Sequence, residues 1–396
     1  MNSQERILTS MNHEEPDKVP SFELSIDNLA ICKHFGEEYV FQGLIKSFEK
    51  THMLCKGDIQ MLTDTILKAT ESRSYIKNTL KKHLNLYSNI GIDMSTVPLT
   101  GYILFPKICH KDYFVDEFGR VFDLKKNPSD QMDIAYYKSG HFSDFQDYKE
   151  FETPDPKDSR REKYYKMMKK IEKEYQGIVI PSIWGVFEAT WQSFGFTNFS
   201  KLLASEHKLA QVFEERGQFT FDLVKTLIEW GEDGLILIYD DYGYKSGLLM
   251  SPKKYREYVL PWLEKICNYA HEKGVRIILH SCGEIYELFK DIVEIGVDAV
   301  HPLEPTTANP QYDIFKLHEH YGDEITFIGN VSPQDLASKK PSNIRKYTKK
   351  LIKNLGPNGG FILSSGHSIN PAVKLDNFLA MYETLEQYGT YPIAEE

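Results

Sequence analysis

Short apolar runs alternate with amphipathic segments along the second half of the chain. The apolar runs have the length and composition of buried strands and lie at residues 178–185, 234–241, 276–282, 297–303, 325–331 and 360–365. The segments between and after them repeat apolar residues at helical spacing, which predicts helices at residues 199–230, 252–273, 284–295, 310–321, 341–354 and 374–388. Strands that alternate with helices in this way form parallel sheets buried on both faces.

Two earlier apolar runs, at residues 19–24 and 91–98, bring the number of predicted strands to eight. Eight strand and helix units close most simply into a (β/α)8 barrel, or TIM barrel, whose active site lies at the C-terminal ends of the strands. We therefore predict an α/β fold of this kind. The alternative is an open doubly wound sheet, but no GxGxxG motif follows the first strand to mark a nucleotide crevice.

The first third of the chain departs from this rhythm. A short helix is predicted at residues 3–13, and a long polar segment with helical patterning, residues 27–85, separates the first two strands. Period-two alternation around the turn Glu117-Phe118-Gly119 predicts a β-hairpin within residues 102–124, followed by a solvated loop over residues 125–160. We predict one domain, residues 1–396, with an N-terminal helical extension and a hairpin and loop inserted at about residues 100–150.

Composition and charge restrict the partners. Apolar residues make up 41% and charged residues 26% of the chain, as in soluble globular proteins, and the formal net charge is −10. Because this charge is spread along the chain without a basic block, we expect neither nucleic acid nor a membrane as partner. The N-terminus lacks an apolar signal segment, and the five scattered cysteines form no CxxC pair, so a cytoplasmic protein without disulfides is expected.

Chemically capable side chains follow the predicted strands, where a barrel places its active site. They are Glu23, Asp27, Trp184, Glu188, Trp191, Asp240, Asp241, Tyr244, His280, Cys282, His301, Glu304, Asn330, Ser332, Ser365 and His367. Structural explanations are also open for single members of this set. Asp240 and Asp241 could cap a helix. His301 could stack under Pro302, Glu304 could be a surface charge, and the tryptophans could fill the core.

The segment RIILHSCG, residues 276–283, carries the strongest chemical signal. Side chains two residues apart on a strand point the same way, so His280 and Cys282 can share one ligand. Imidazole nitrogen and thiolate sulfur are ligands that zinc takes readily, and a catalytic zinc site needs three protein ligands and one open position. His367 follows the eighth strand, across the barrel from the fifth, and could meet this pair over the barrel mouth. The pattern predicts a zinc site.

Several other kinds of site are not supported by any motif. The chain has no GxSxG elbow, no GxxxxGK[ST] phosphate loop and no HExxH pair. None of its histidines has the DxHxxG context of a corrinoid carrier. We therefore set aside serine hydrolase, P-loop and zincin chemistry.

Five segments together carry a family resemblance. They are EEPDKVPSFE at residues 14–23, DDYG at 240–243, SPKKYREYVLPWLEKICNYAHEKGVRIILHSCG at 251–283, IGNVSP at 328–333 and GGFILSSGHSINPAVKLDNFLAMYET at 359–384. The chain resembles the uroporphyrinogen decarboxylase superfamily, and within it the branch of zinc-dependent methyltransferases that work with corrinoid proteins. The resemblance covers nearly the whole chain and implies a TIM barrel.

The resemblance implies a ligand set for the zinc ion. In this branch a His-x-Cys pair and a distant third ligand, usually Cys in a GGF-containing segment, hold the metal. These positions fall on His280, Cys282 and His367, so the third ligand departs from the usual Cys. One thiolate and two neutral imidazoles would leave the site at a net charge of +1, and we expect a stronger Lewis acid than a site with two thiolates.

The function implied is methyl transfer between a small substrate and the corrinoid (cobalamin) of a separate protein that docks at the barrel mouth. The substrate would be a methoxylated or methylated compound, or a thiol, and we slightly favour the demethylating direction. Glu188, Asp240 or Glu304 would supply a fourth ligand or a general acid. Trp184, Tyr244, His301 and Asn330 would contact the substrate. Whether the chain forms a homodimer stays open.

Two other functions compete with methyl transfer. A uroporphyrinogen decarboxylase, a lyase that acts on a porphyrinogen, resembles its relatives in an Arg-rich segment after the first strand, which binds the substrate's eight carboxylates. The equivalent stretch here, SFELSIDNLA at residues 21–30, contains no Arg. A non-catalytic zinc-binding barrel would close all four metal positions with protein ligands.

Overall fold

The computed structural model describes residues 1–393; the last three residues of the predicted domain, 394–396, lie outside the described residues. Its main sheet has eight parallel strands that follow one another around the sheet in chain order. They are Phe22–Glu23, Met94–Pro98, Ile178–Trp184, Leu235–Tyr239, Arg276–His280, Ala299–His301, Thr326–Val331 and Phe361–Ser365. We refer to them as the first to eighth barrel strands.

The eighth barrel strand lies beside the first. Parallel bridges pair Ser21 with Leu363 and Ile26 with Ile369. The backbone N–H of Leu363 also donates to the Pro20 carbonyl at 2.9 Å. The predicted (β/α)8 barrel is therefore confirmed, and its closure leaves the sheet without a free edge.

The alternation of side chains along each strand separates two apolar layers. Leu235 and Leu237 belong to the core inside the barrel, whereas Ile236 and Ile238 belong to the larger core outside it. This is the period expected of a strand that is buried on both faces. Ile7 of the N-terminal helix joins the inner core, so that helix covers one end of the barrel.

The helices agree with the predicted pattern, although several predicted segments are divided in two. Those before the third barrel strand are Ser3–Met11, Leu29–His34, Leu44–Leu54, Ile59–Thr70, Arg73–Ile90, Phe145–Glu150 and Ser159–Glu172, with a 3-10 turn at Tyr102–Leu104. The later ones are Val186–Leu203, Glu206–Glu229, Pro252–Tyr258, Leu260–Glu272, Tyr286–Ile295, Ile314–Tyr321, Pro333–Ser338, Pro341–Leu355 and Leu375–Tyr388. In the described part of the chain, no helix is both long and apolar enough to cross a membrane.

The insertion after the second barrel strand is larger than the predicted hairpin. It is a four-stranded antiparallel sheet of Pro106–Cys109, Tyr113–Asp116, Arg120–Lys126 and Asp133–Gly140, which we call the inserted sheet. The prediction of a solvated loop over residues 125–160 was wrong. Residues 133–140 form the fourth strand of the inserted sheet and pair with the whole of its third strand, Arg120–Lys126. Only one residue of the fourth strand is buried, so its apolar signal is weak.

One buried ion pair stabilises the inserted sheet internally, and a second fastens it to the barrel. Arg120 lies 2.7 Å from the Asp116 carboxylate within the sheet. Arg161, from the helix Ser159–Glu172, donates through Nη1 to Glu117 Oε1 at 2.9 Å and to the Leu99 carbonyl at 2.7 Å. Both guanidinium groups are fully buried. The turn of the inserted sheet is thus tied to a barrel helix and to the end of the second barrel strand.

Glu23 joins the first barrel strand to the eighth. Its buried carboxyl accepts hydrogen bonds from the backbone N–H of Ser365 at 3.1 Å and from Tyr382 Oη at 3.0 Å. Burial nevertheless raises the pKa of Glu23 to about 7. The folded protein therefore keeps a proton that the unfolded chain releases at the usual pKa of a glutamate.

We expect this carboxyl to destabilise the fold as the pH rises from 5 to 8. Between the unfolded pKa of 4.5 and the folded pKa of about 7, the folded state binds more protons, so unfolding becomes easier with increasing pH. At about 1.4 kcal/mol for each pKa unit, the loss is about 3 kcal/mol. In urea unfolding at several pH values, the free energy of unfolding should depend less on pH in Glu23→Gln than in the wild type. The exposed control Glu49→Gln should show the same pH dependence as the wild type. If the free energy of unfolding changes equally with pH in Glu23→Gln and in the wild type, the raised pKa of Glu23 is refuted.

Candidate metal centre

A cavity of about 660 Å³ lies at the C-terminal ends of the barrel strands. Residues that follow or end the first, third, fourth, fifth and eighth barrel strands line it, namely Asp27, Trp184, Glu188, Asp241, His280 and His367. The helical segment between the first and second barrel strands, residues 29–90, and the inserted sheet with the turn before it contribute further walls, including Tyr39, Phe41, Tyr87, Tyr102 and Tyr136. We call residues 29–90 the N-terminal helical segment. The volume is that of a small-molecule site. The site therefore lies where a TIM barrel places its chemistry.

Three ligand-type side chains meet beside this cavity, and two of them, Asp241 and His280, line it. His280 Nε2 lies 3.4 Å from Cys282 Sγ and 3.6 Å from Asp241 Oδ1. The three ligand atoms all lie within 4.8 Å of one another. The structure thus brings together the predicted pair His280 and Cys282, and it adds Asp241 as the third member. We call these three residues the ligand cluster.

The ligand cluster fits a zinc ion. A tetrahedral zinc ion with bonds of about 2.0–2.2 Å to nitrogen and oxygen and about 2.3 Å to sulfur holds its ligand atoms roughly 3.3–3.6 Å apart. The distances from His280 Nε2 to the other two ligand atoms, 3.4 and 3.6 Å, match that spacing. One nitrogen, one sulfur and one carboxylate oxygen are donors that zinc accepts. Three protein donors leave one position for a substrate.

Burial makes this cluster unfavourable for charge in the absence of a cation. Desolvation raises the pKa of Cys282 well above that of a free thiol, and the nearby Asp241 raises it further. Desolvation also raises the pKa of Asp241 and lowers the pKa of His280 far below its usual value. A bound dication would reverse the cost for the thiolate and the carboxylate, because both anions would then be paired.

His301 positions the ring of His280. The two Nδ1 atoms lie 2.7 Å apart, and His301 Nε2 lies 3.3 Å from Ser364 Oγ. If His280 Nε2 is to bind a metal, its Nδ1 must carry the proton and donate it to His301 Nδ1. His301 is fully buried and does not line the cavity. The prediction that it contacts the substrate therefore needs correction, because both ring nitrogens already have protein neighbours.

His367 lies outside the ligand cluster. Its side chain is exposed at the cavity, and its ring centroid is 6.2 Å from that of His280. Its Nδ1 accepts a hydrogen bond from the backbone N–H of Ser368 at 2.7 Å. The predicted third position of the site is thus taken by Asp241, which follows the fourth barrel strand, rather than by a residue of the eighth.

Asp240 caps a helix, which is the structural explanation that the sequence analysis left open for it. Its buried carboxylate accepts from the backbone N–H groups of the first three residues of the helix Val186–Leu203, at 2.6–3.2 Å. These bonds satisfy donors that a helix start leaves free. A Cβ at Gly185 would lie 2.4 Å from Asp240 Cγ, so only glycine permits this close approach. The prediction of Asp240 as a ligand or acid is corrected, since its oxygens are occupied and it does not line the cavity.

Glu188 retains the geometry of a proton donor. It lines the cavity, and its buried carboxyl accepts from the Asp241 backbone N–H at 3.3 Å and from Gln192 Nε2 at 2.7 Å. Burial, and then the nearby Asp241, raise the pKa of Glu188 well above its usual value. A carboxyl that keeps its proton beside the ligand cluster can donate that proton to a bound substrate.

The model for the family "Uroporphyrinogen decarboxylase (URO-D)" matches residues 131–388, well over half of the chain. The chain belongs to the uroporphyrinogen decarboxylase family. This confirms the superfamily to which the sequence segments pointed. The matched region contains all three residues of the ligand cluster.

This member of the uroporphyrinogen decarboxylase family is similar to proteins of two kinds. It is 27% identical over 159 residues to the uroporphyrinogen decarboxylase of Aromatoleum aromaticum, which is 39% of this chain and 41% of that protein. It is 23% identical over 211 residues to the methylcobamide:CoM methyltransferase MtbA of Methanosarcina acetivorans, 53% of this chain and 58% of that protein. The chain thus spans about half the length of the curated relatives it matches.

A solved structure agrees with the fold over almost the whole length of both chains. The "methyltransferase from Methanosarcina mazei" superposes with a TM-score of 0.66 and 16% sequence identity. The match covers 98% of this chain and 99% of that one. At this identity the likeness shows that the two share the barrel fold.

The remaining predicted substrate contacts divide into one that lines the cavity and two that do not. Trp184 is half-buried and lines it. Tyr244 is 62% exposed on a small hairpin outside the cavity. Asn330 is buried, donates to the Leu303 carbonyl at 2.7 Å and accepts from Tyr347 Oη at 2.8 Å. The predictions for Tyr244 and Asn330 are therefore corrected: the first lies outside the cavity, and both polar atoms of the second are bonded within the protein.

Glu304, the third predicted catalytic carboxylate, lies near the ligand cluster without joining it. It accepts a hydrogen bond from Thr306 Oγ1 at 2.7 Å. Its charge is among the causes that raise the pKa of Cys282 and Asp241. It does not line the cavity.

Sequence reasoning missed the cavity residues that come from the N-terminal helical segment. His83 and Tyr87 line the cavity from the helix Arg73–Ile90, and Tyr39 lines it from the loop between the helices Leu29–His34 and Leu44–Leu54. The helix carries an ordinary amphipathic pattern and the loop carries no motif, so no local signal separates these residues from core positions. Only the tertiary packing of that segment over the barrel mouth brings them to the site.

Proposed function

We propose that the chain is a zinc-dependent methyltransferase that moves a methyl group between a small substrate and the corrinoid of a separate protein. The ligand cluster Asp241, His280 and Cys282 at the cavity carries this proposal, because a non-catalytic zinc site would have four protein ligands. Similarity to the methylcobamide:CoM methyltransferases MtbA supports it. We place the corrinoid protein at the barrel mouth, since the methyl group is exchanged there.

Asp241, His280 and Cys282 would hold the zinc ion, with His301 fixing the tautomer of His280. When bound, zinc supplies a Lewis acid for a substrate heteroatom in the fourth position. A carboxylate, a thiolate and a neutral imidazole would make the centre neutral, whereas the set with His367 would have made it +1. A neutral centre is a milder Lewis acid, and a nearby proton donor would then help to release the heteroatom.

In the demethylating direction, which we still favour, the chain would align the substrate and provide that proton. The bond between the methyl carbon and the heteroatom breaks, and its electron pair stays on the heteroatom. The methyl carbon bonds to the reduced cobalt of the partner's corrinoid, which provides the new electron pair. Glu188 is placed to protonate the leaving heteroatom, because it lines the cavity beside Asp241 and burial favours its protonated form. Closure of the cavity by the N-terminal helical segment would exclude water from this exchange.

The alternative, decarboxylation of a porphyrinogen, agrees less well with the cavity. That substrate carries eight carboxylates and would need arginine or lysine side chains to pair with them. None of the described residues that line this cavity is an arginine or a lysine. Since some relatives are named uroporphyrinogen decarboxylases, this remains the competitor to be tested.

The test combines zinc-loaded protein, free cob(I)alamin and a methoxylated aromatic donor, with methylation of the cobalt followed by its absorbance. We expect zinc-dependent methylation that Glu188→Gln slows by roughly 100-fold, the lower end of what a positioned acid contributes. Glu49→Gln, which changes an exposed carboxylate that does not line the cavity, is the control and should change the rate little. Release of carbon dioxide from uroporphyrinogen, without any methylation of cobalt, would contradict the proposal.

A further inference from the structure

Aromatic side chains make up a large part of the cavity lining. Eight of the lining residues are Tyr39, Phe41, Tyr87, Tyr102, Tyr136, Tyr164, Trp184 and Tyr239. Trp184 and Tyr239 belong to the barrel, and their ring centroids lie 5.2 Å apart. Tyr239 also packs against the ring of His280 at 5.4 Å, so this aromatic wall begins at the ligand cluster. Walls of this kind suit a planar ring, which can pack against them face to edge or offset.

The charges at the cavity disfavour an anion. The lining includes the carboxyl groups of Asp27, Glu188 and Asp241 and, among the described residues, neither lysine nor arginine. Arg120 stacks on Trp184 at 3.9 Å, but it is paired with Asp116 and does not line the cavity. An anionic substrate would thus find no lysine or arginine to pair with. The charge of the proposed zinc ion would already be offset by Asp241 and Cys282, so burial of a further anion is unfavourable.

One buried hydroxyl among the residues that line the cavity has no hydrogen-bond partner in the described part of the chain. Tyr39, Tyr102 and Tyr239 each have a hydrogen-bond partner for their hydroxyl within the protein, at 2.8–3.1 Å. Tyr87 lines the same cavity and is only 4% exposed, yet its Oη has no hydrogen-bond partner within residues 1–393. Buried polar groups are nearly always paired, so an unpaired phenol at a cavity points to an acceptor on a ligand. A quaternary ammonium group would also suit aromatic walls, but it offers no acceptor.

We infer that the cavity selects an uncharged aromatic compound with an oxygen acceptor, and that Tyr87 is a positioning residue that donates to that oxygen. The inference rests on the proposed function in one respect. If the chain is a methyltransferase, the bound compound is its methyl donor, and the donor class is a neutral aryl methyl ether. It excludes benzoate-like and sulfonate-like substrates. The ring would lie against Trp184 and Tyr239, beside the ligand cluster.

Binding to the purified full chain tests this without requiring turnover. The probes are 2-methoxyphenol, which is uncharged at neutral pH, the anion 3-methoxybenzoate, the cation phenyltrimethylammonium, and toluene, which has no acceptor. Titration calorimetry should show 2-methoxyphenol binding at least about tenfold more tightly than either charged probe. Tyr87→Phe should weaken the binding of 2-methoxyphenol by about fivefold, which corresponds to one hydrogen bond, and should leave the binding of toluene unchanged.

Tyr175→Phe is the matched control, because it removes a hydroxyl that bonds Asn85 and does not line this cavity. It should leave all affinities unchanged. Tightest binding of either charged probe, no binding of 2-methoxyphenol, or an equal loss of 2-methoxyphenol and toluene in Tyr87→Phe would each overturn the inference. Binding of 2-methoxyphenol without methyl transfer would refute the proposed function alone. Methyl transfer from an anionic donor, without 2-methoxyphenol binding, would refute this inference alone.

Discussion

Replacing His280 or Cys282 by alanine, or Asp241 by asparagine, should abolish stoichiometric zinc binding, while His367→Ala should leave it nearly intact. The three residues supply the ligand atoms that meet within 4.8 Å. Loss of one ligand should lower the zinc affinity by more than the roughly 10- to 100-fold that is typical when a residue hydrogen-bonded to a ligand is replaced. His367 is exposed and lies outside the ligand cluster. Metal analysis after dialysis against a weak chelator measures the outcome.

Two further variants sharpen that experiment. Asp240→Asn changes the acid next to Asp241, but its carboxylate caps the helix Val186–Leu203 rather than joining the ligand cluster, so the zinc content should equal that of the wild type. His301→Ala keeps all three zinc ligands, but its affinity for zinc should fall by about 10- to 100-fold, because the ring of His280 is then no longer held in one tautomer. Full zinc retention in Asp241→Asn together with loss in His367→Ala would restore the ligand set that the sequence predicted.

The barrel could be predicted because its signal is local. Each strand is a short apolar run, and each helix repeats at its own period, so the alternation of the two survives in the sequence. The inserted sheet could not be predicted in full, because only one residue of its fourth strand, Asp133–Gly140, is buried and the apolar pattern there is weak. What makes that segment a strand is its pairing with Arg120–Lys126, which is a tertiary contact.

The metal site shows a similar division. His280 and Cys282 could be paired from their spacing on one strand, since the strand period fixes their common direction. The choice between Asp240 and Asp241 could not be made, because the chain leaves the strand at this point. The structure shows that Asp240 turns to the helix at Gly185, whereas Asp241 turns to Cys282, whose backbone N–H it accepts at 2.7 Å. A resemblance assigned the third ligand to the eighth strand, where this chain has an exposed histidine instead.

Removing Glu117 should produce the largest loss of stability among the changes considered. Glu117→Leu leaves the guanidinium of Arg161 buried with only carbonyl partners, and breaking a buried pair from one side costs about 3–5 kcal/mol. Arg161 is fully buried and also binds the Leu99 carbonyl, so it cannot move to water without disturbing the barrel. Urea unfolding should report the loss as a lower midpoint. Because the inserted sheet provides Tyr136 to the cavity, the variant should also bind aromatic ligands more weakly.

The double variant Glu117→Leu with Arg161→Met separates the cost of an unpaired charge from the value of the pair. Replacing both partners by apolar groups of similar size removes the buried cation, and most of the lost stability should return. The exposed pair of Lys81 and Glu174 is the matched control, since Glu174→Leu there leaves a cation that water already solvates. A double variant as unstable as Glu117→Leu alone would mean that packing of the turn, rather than charge pairing, holds the inserted sheet on the barrel.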